Sequence, residues 1–204
     1  TGSDPNNFII INDVLYFIAE PNPFGDAELW KTTGTESSTI LVTRLSGIGN
    51  LGGVNYIGGN GKIAYFSTNS GFNYKLWKTD GSSEGTSIIG SIADRVSQIV
   101  VLENNNAIFS LSGIDDLWVS DGTGAGTKVH YDFKYFIKRE PHALVKFRGF
   151  AYCFGNDDGY ARVVKTDGTT NGISIVAELS TASVGGDRLL IPTADELLIV
   201  GYGS

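Results

Sequence analysis

One cysteine, Cys153, is all that this 204-residue chain contains, so an intramolecular disulfide and any cysteine-based zinc or redox pattern are excluded. It lies in the apolar run at residues 150–154 and reads as a buried core residue. Basic residues are also scarce. Fifteen Lys and Arg against 22 Asp and Glu give a net charge of -7 and a pI near 4.7, which argues against a general nucleic-acid binder, because phosphate contacts need a basic face. No apolar run is long enough to cross a bilayer, and membrane insertion is not expected. The sequence opens at Thr1 without a methionine or a signal peptide and reads as a mature or excised piece. With 5 prolines, 27 glycines and few runs of helix formers, it suits many short strands joined by tight turns. Also missing are the GxSxG elbow, a glycine loop in strand-to-helix context and the dense acidic spacing of a calcium loop. The expectation is a chain with no catalytic residues, no cofactor and no metal.

What the chain has in quantity is one phrase written four times. Its sharpest copy is KLWKTDGSSEGT at residues 75–86; the others are ELWKTTGTESST (28–39), DLWVSDGTGAGT (116–127) and the eroded RVVKTDGTTNGI (162–173). With Trp30, Trp77, Trp118 and Val164 as equivalent positions, the steps are 47, 41 and 46 residues, the length of a four-stranded propeller blade. Each phrase reads as a β-hairpin: an apolar pair in a strand, a polar run turning at Asp-Gly, and a returning strand. Gly accepts positive φ and Asp accepts hydrogen bonds from amides ahead of it. Asp80, Asp121 and Asp167 therefore have a structural task, preferred over calcium because a turn with one acid and one hydroxyl is far from six to eight oxygen ligands. In the first copy Thr33 stands for the Asp and Ser38 for the second Gly, which reads as a degraded hairpin.

The wording resembles the ELWxxDGTxxGT β-propeller repeats of many large secreted and surface proteins of bacteria, over essentially the whole chain. The resemblance implies a propeller used as a binding or spacer module outside the cell or on its surface, within a larger protein, and carries no catalytic residues. The strand pattern predicts one all-β domain, with repeats at about 8–45, 53–92, 96–133 and 143–179 and a half repeat at 187–204. Five blades with an incomplete last one is the preferred count; four blades, or a fragment of a longer array, are the alternatives. The second strands (VLYFIA, KIAYFS, NAIFSL, FAYCFG) are nearly continuous apolar runs, the mark of strands covered on both faces. Trp30, Trp77 and Trp118 then read as wedges between sheets rather than as ligand-stacking residues.

Departures from the repeat are where a ligand is expected, because residues common to every repeat serve the contact every repeat must make. FKYFIKR at residues 133–139 interleaves aromatics with Lys134, Lys138 and Arg139 around Tyr135; it reads first as the extended connection between the third and fourth blades and second as a contact surface for an acidic or sugar partner. The connections between second and third strands carry Phe24, Phe72, Tyr74, Asp115 and Asp157; the acidic pairs there read first as solvated loop charge. The function expected is a non-catalytic module that binds a protein or a glycan through these loops. A structural spacer is the alternative, and an enzyme with a site pooled from several blades comes third.

Overall fold

The computed structural model describes residues 4–20, 26–45, 54–130, 141–157, 160–169, 171–180 and 189–200. It is all-β: four four-stranded antiparallel sheets and one two-stranded sheet. The first sheet is β1 (Asn6–Ile11), β2 (Val14–Ala19), β3 (Glu28–Thr32) and β4 (Ile40–Arg44). The second is β5 (Val54–Gly59), β6 (Ala64–Ser70), β7 (Asn73–Thr79) and β8 (Ser87–Ile92). The third is β9 (Val96–Val101), β10 (Ala107–Leu111), β11 (Leu117–Ser120) and β12 (Lys128–Val129). The fourth is β13 (His142–Phe147), β14 (Phe150–Asp157), β15 (Tyr160–Thr166) and β16 (Ile173–Ser180), and the hairpin is β17 (Leu189–Pro192) with β18 (Leu197–Val200). Within each full sheet the strands lie in sequence order, the meander of a propeller blade.

The turns follow the local chemistry. Asn12 and Asp13 both take left-handed φ (49° and 63°), as does the pair Arg148-Gly149 (47° and 82°), which matches the twist of a two-residue hairpin. In the second sheet the glycine-rich stretch is less of a turn than its composition suggests: Gly58 and Gly59 belong to β5, and the chain reverses at 60–63, with Gly61 at φ 88°. The Asn60 side-chain oxygen accepts from the Lys62 and Ile63 amides there.

The chain forms two compact units. In the first, Ile11, Tyr16, Ile18 and Leu29 of one blade meet Ala64, Phe66 and Trp77 of the next. The Asn12 amide also donates to the Gly61 carbonyl (2.7 Å), which ties the two first turns together. Trp77 is buried as the repeat predicts, stacked on Phe66 with its indole N–H donated to the Thr68 hydroxyl (2.9 Å). Trp30 is only half-buried and donates to Glu28 (3.0 Å). In the second unit, Leu102, Ile108, Leu117 and Val119 pack on Leu144, Ala151, Cys153 and Val164, while Phe154 and Val163 pack on Leu190 of the hairpin. Burial of Cys153 pushes its thiol up to about 12, which makes it inert core as expected.

Candidate functional site

The repeated turn is built from its own side chains. In the second blade the Asp80 Oδ1 accepts from the Ser82 amide (2.8 Å) and hydroxyl (2.7 Å), and the Thr79 hydroxyl accepts from the Gly81 amide (3.0 Å). The fourth blade repeats this with Asp167, Thr169, Thr166 and Gly168 at the same distances. The Ser82 hydroxyl and amide hold the Asp80 carboxyl below the ordinary range, and the Thr169 amide and hydroxyl do so for Asp167, with His130 adding to it.

The second glycine of the phrase is explained by space. A Cβ at Gly85, Gly126 or Gly172 would overlap the carboxylate of Asp80, Asp121 or Asp167 respectively. The first copy is therefore not degraded, as its sequence suggests, but reciprocally rebuilt. Thr33 vacates the carboxylate's place, and the Ser38 hydroxyl enters from the other side to accept from the Thr33 and Thr35 amides (3.1 and 3.2 Å). A short 3-10 turn, Glu36–Ser38, carries that serine. No group of three or more His, Cys, Asp or Glu residues suited to a metal ion occurs among the described residues.

The turn glycine after each acid also makes the joint with the preceding blade. In the first unit, a Cβ at Gly81 (φ 90°) would meet the Tyr16 ring. Burial, and then the Asp80 carboxylate, push the Tyr16 phenol upward. Gly122, whose turn residues 122–124 belong with the first unit, lies in the same way beneath Tyr65 and Lys78. Tyr16 pairs across strands with Lys31, Tyr65 with Lys78 and Tyr152 with Lys165. The third blade alone carries Ile108 paired with Val119. There a Cβ at Gly168 (φ 84°) would meet only the Ile108 Cδ1 (3.0 Å) and the Asn106 side chain. Beside this joint a cleft of about 270 Å³ opens, lined by Asn106, Val119, Ser120, Asp121, Gly126, Lys128, Gly168 and Thr169. Sequence reasoning passed over it. The signal was the change from Tyr to Ile and from Lys to Val at positions the repeat otherwise keeps.

Of the residues expected to bind a ligand, Phe24, Lys134, Tyr135, Lys138 and Arg139 lie outside the described residues. Phe72 stands at the tip of the β6–β7 hairpin and is 97% exposed. Tyr74 is not in that loop but in β7, paired with Asn69 and half-buried, because the hairpin turns within residues 70–73. Asp157 likewise ends β14, paired with Tyr160, and Asp115 is exposed between β10 and β11. His130 is buried with its Nε2 3.0 Å from the Thr166 hydroxyl. His142 stacks on Phe154.

No protein-family model matches the chain, and no curated protein matches it. Solved structures do. An oligogalacturonate lyase in complex with manganese superposes with a TM-score of 0.58 at 9% identity, covering 87% of this chain and 54% of its own. A protein from Lactobacillus plantarum gives 0.60 at 12% identity, with 98% and 71% covered, and TolB from Acinetobacter baumannii gives 0.54 at 11%, with 91% and 46% covered. The chain thus spans about half the length of the lyase and of TolB. These likenesses establish the β-propeller fold, and that alone.

Proposed function

We propose that the chain is a non-catalytic binding module of the ELW-repeat propeller kind, acting outside the cell or on its surface. In this reading it takes a protein or glycan partner through the connections between second and third strands. The observation that carries it is Phe72. A phenylalanine 97% exposed at a hairpin tip, with Gly71 at φ 59° beside it, makes no packing contribution to its own sheet. Aromatic side chains presented in this way are the usual anchors of protein and sugar contacts. The shared phrase, by contrast, is already used by the fold: its acids close turns and its glycines make joints.

A glycan array and immobilised surface-protein fractions supply the test, with the Phe72→Ser chain run in parallel. Saturable binding that the substitution weakens about tenfold or more, at unchanged thermal stability, is the expected result. Hydrogen-exchange protection confined to residues 80–86 and 121–127 on partner binding would overturn it.

A spacer role has an observation of its own. Phe8, Ile10 and Leu41 on the first sheet, and Leu189, Ile191, Leu198 and Val200 on the hairpin, are exposed apolar side chains of the kind a neighbouring blade covers. A spacer binds nothing saturably in the same screen.

A further inference from the structure

We propose that the cleft beside the Gly168 joint is a binding site for a single sugar ring. Three departures from the repeat converge on it. Where two other blades lay a tyrosine over the next turn glycine, Ile108 stops short at Gly168. Where the other blades carry a lysine on the third strand (Lys31, Lys78, Lys165), Val119 forms part of the cleft wall. The residue opposite, which is Ile40, Ser87 or Ser174 elsewhere, is here Lys128. The positive charge has crossed from one strand to its neighbour. It leaves the aliphatic Val119 in the lining and, on the neighbouring strand beside it, an exposed ammonium with no acidic partner among the described residues.

The lining fits a polyhydroxylated ring better than an apolar one. Asp121 supplies carboxylate oxygens that can accept further bonds beside those that close its turn, Lys128 a donor, Asn106 both kinds, and the Thr169 hydroxyl, whose proton goes to Asp167, an acceptor, while Val119 offers a C–H surface to one face of the ring. An apolar guest would strip water from these groups without replacing its hydrogen bonds. At about 270 Å³ the cleft sits at the small end of ligand pockets, which run from roughly 300 to 1,000 Å³, so it has room for one ring rather than a chain.

The experiment is an amide-detected NMR titration of the whole chain with D-glucose, D-galactose, N-acetylglucosamine and D-galacturonate. At least one probe is expected to shift the Gly126 and Gly168 signals saturably at millimolar concentrations. Ile108→Tyr, which restores the residue of the first two blades, should abolish that response, and Lys128→Ser, the second blade's residue, should weaken it by about tenfold. Should Ile108→Tyr not fold, the exposed Lys128→Ser decides alone. Phe72→Ser should leave the response untouched, which separates this site from the hairpin-tip reading. No saturable response to any probe, or equal affinity in wild type and Lys128→Ser, would overturn the assignment.

Discussion

The two units make the same kind of blade-to-blade joint from different residues. In the first, Tyr16 lies over Gly81 and Trp77 fills the facing sheet; in the second, Ile108 reaches Gly168 and Val164 takes the tryptophan's place. The aromatic joint is packed to the turn, whereas the aliphatic one leaves a polar cleft at its side. A repeat thus conserves the contact and not the side chains that make it, and a site can open where the smaller pair is used.

The sharpest way to break the comparison is to remove the core residue on each side. Trp77→Ala should cost about 3 to 5 kcal/mol and Val164→Ala about 2 kcal/mol, read from denaturant midpoints at constant slope. Equal losses would mean that the two joints are energetically alike. Trp30→Ala should cost less than Trp77→Ala, because its ring is only half-buried.

The turn glycines give the next largest contrast. Both have left-handed backbones, so alanine costs about 1 to 2 kcal/mol at either. At Gly81 it must also displace the Tyr16 ring, for about 2 to 4 kcal/mol in all, while at Gly168 it presses on the end of Ile108 and otherwise makes ordinary contact with the Asn106 side chain. A Gly168→Ala chain as unstable as Gly81→Ala would show that the second joint has no slack.

A smaller effect tests the rebuilt first turn. Gly85→Ser alone should destabilise by about 2 kcal/mol through overlap with Asp80, and Asp80→Thr alone by about 1 kcal/mol. Together they reproduce the pairing of Thr33 with Ser38 and should restore most of the loss, a coupling that a double-mutant cycle measures directly. Additive losses would contradict the reciprocal exchange.

The smallest expected effect is on acid stability. Asp80 and Asp167 have folded-state values below their unfolded ones, so what they add is present above about pH 3.9 and lost as pH falls through the folded values. Asp80→Asn and Asp167→Asn should each flatten the fall in melting temperature over that range. An unchanged acid limb would remove the carboxylates from the account of the turn.

Much of the fold was legible because a hairpin is written in local chemistry. Asn12-Asp13 and Arg148-Gly149 are written as turns in their residue types, and the apolar runs VLYFIA and NAIFSL become β2 and β10. In the β5–β6 turn three glycines mark low side-chain content without saying where the backbone reverses; Asn60 decides that with its side chain. Of the candidate site, Phe72 was legible as a loop aromatic, while Tyr74 was not legible as a strand residue, since Gly71 allows a tighter hairpin than its neighbours suggested. The cleft was invisible for a different reason: Lys128 and Thr169 stand 41 residues apart and meet only when two blades pack.

The sequence by itself determined the repeat, its period, the strand order within each blade and the acid-and-glycine turn, because hydrophobic alternation and turn chemistry act over a few residues. Tertiary structure alone decided which face of each strand meets a neighbour. It also decided why the second glycine must lack a side chain, and where exchanging Tyr and Lys for Ile and Val opens space. Those outcomes depend on atoms that approach through packing rather than along the chain, and packing at near-crystalline density turns small differences in side-chain volume into contact or cavity.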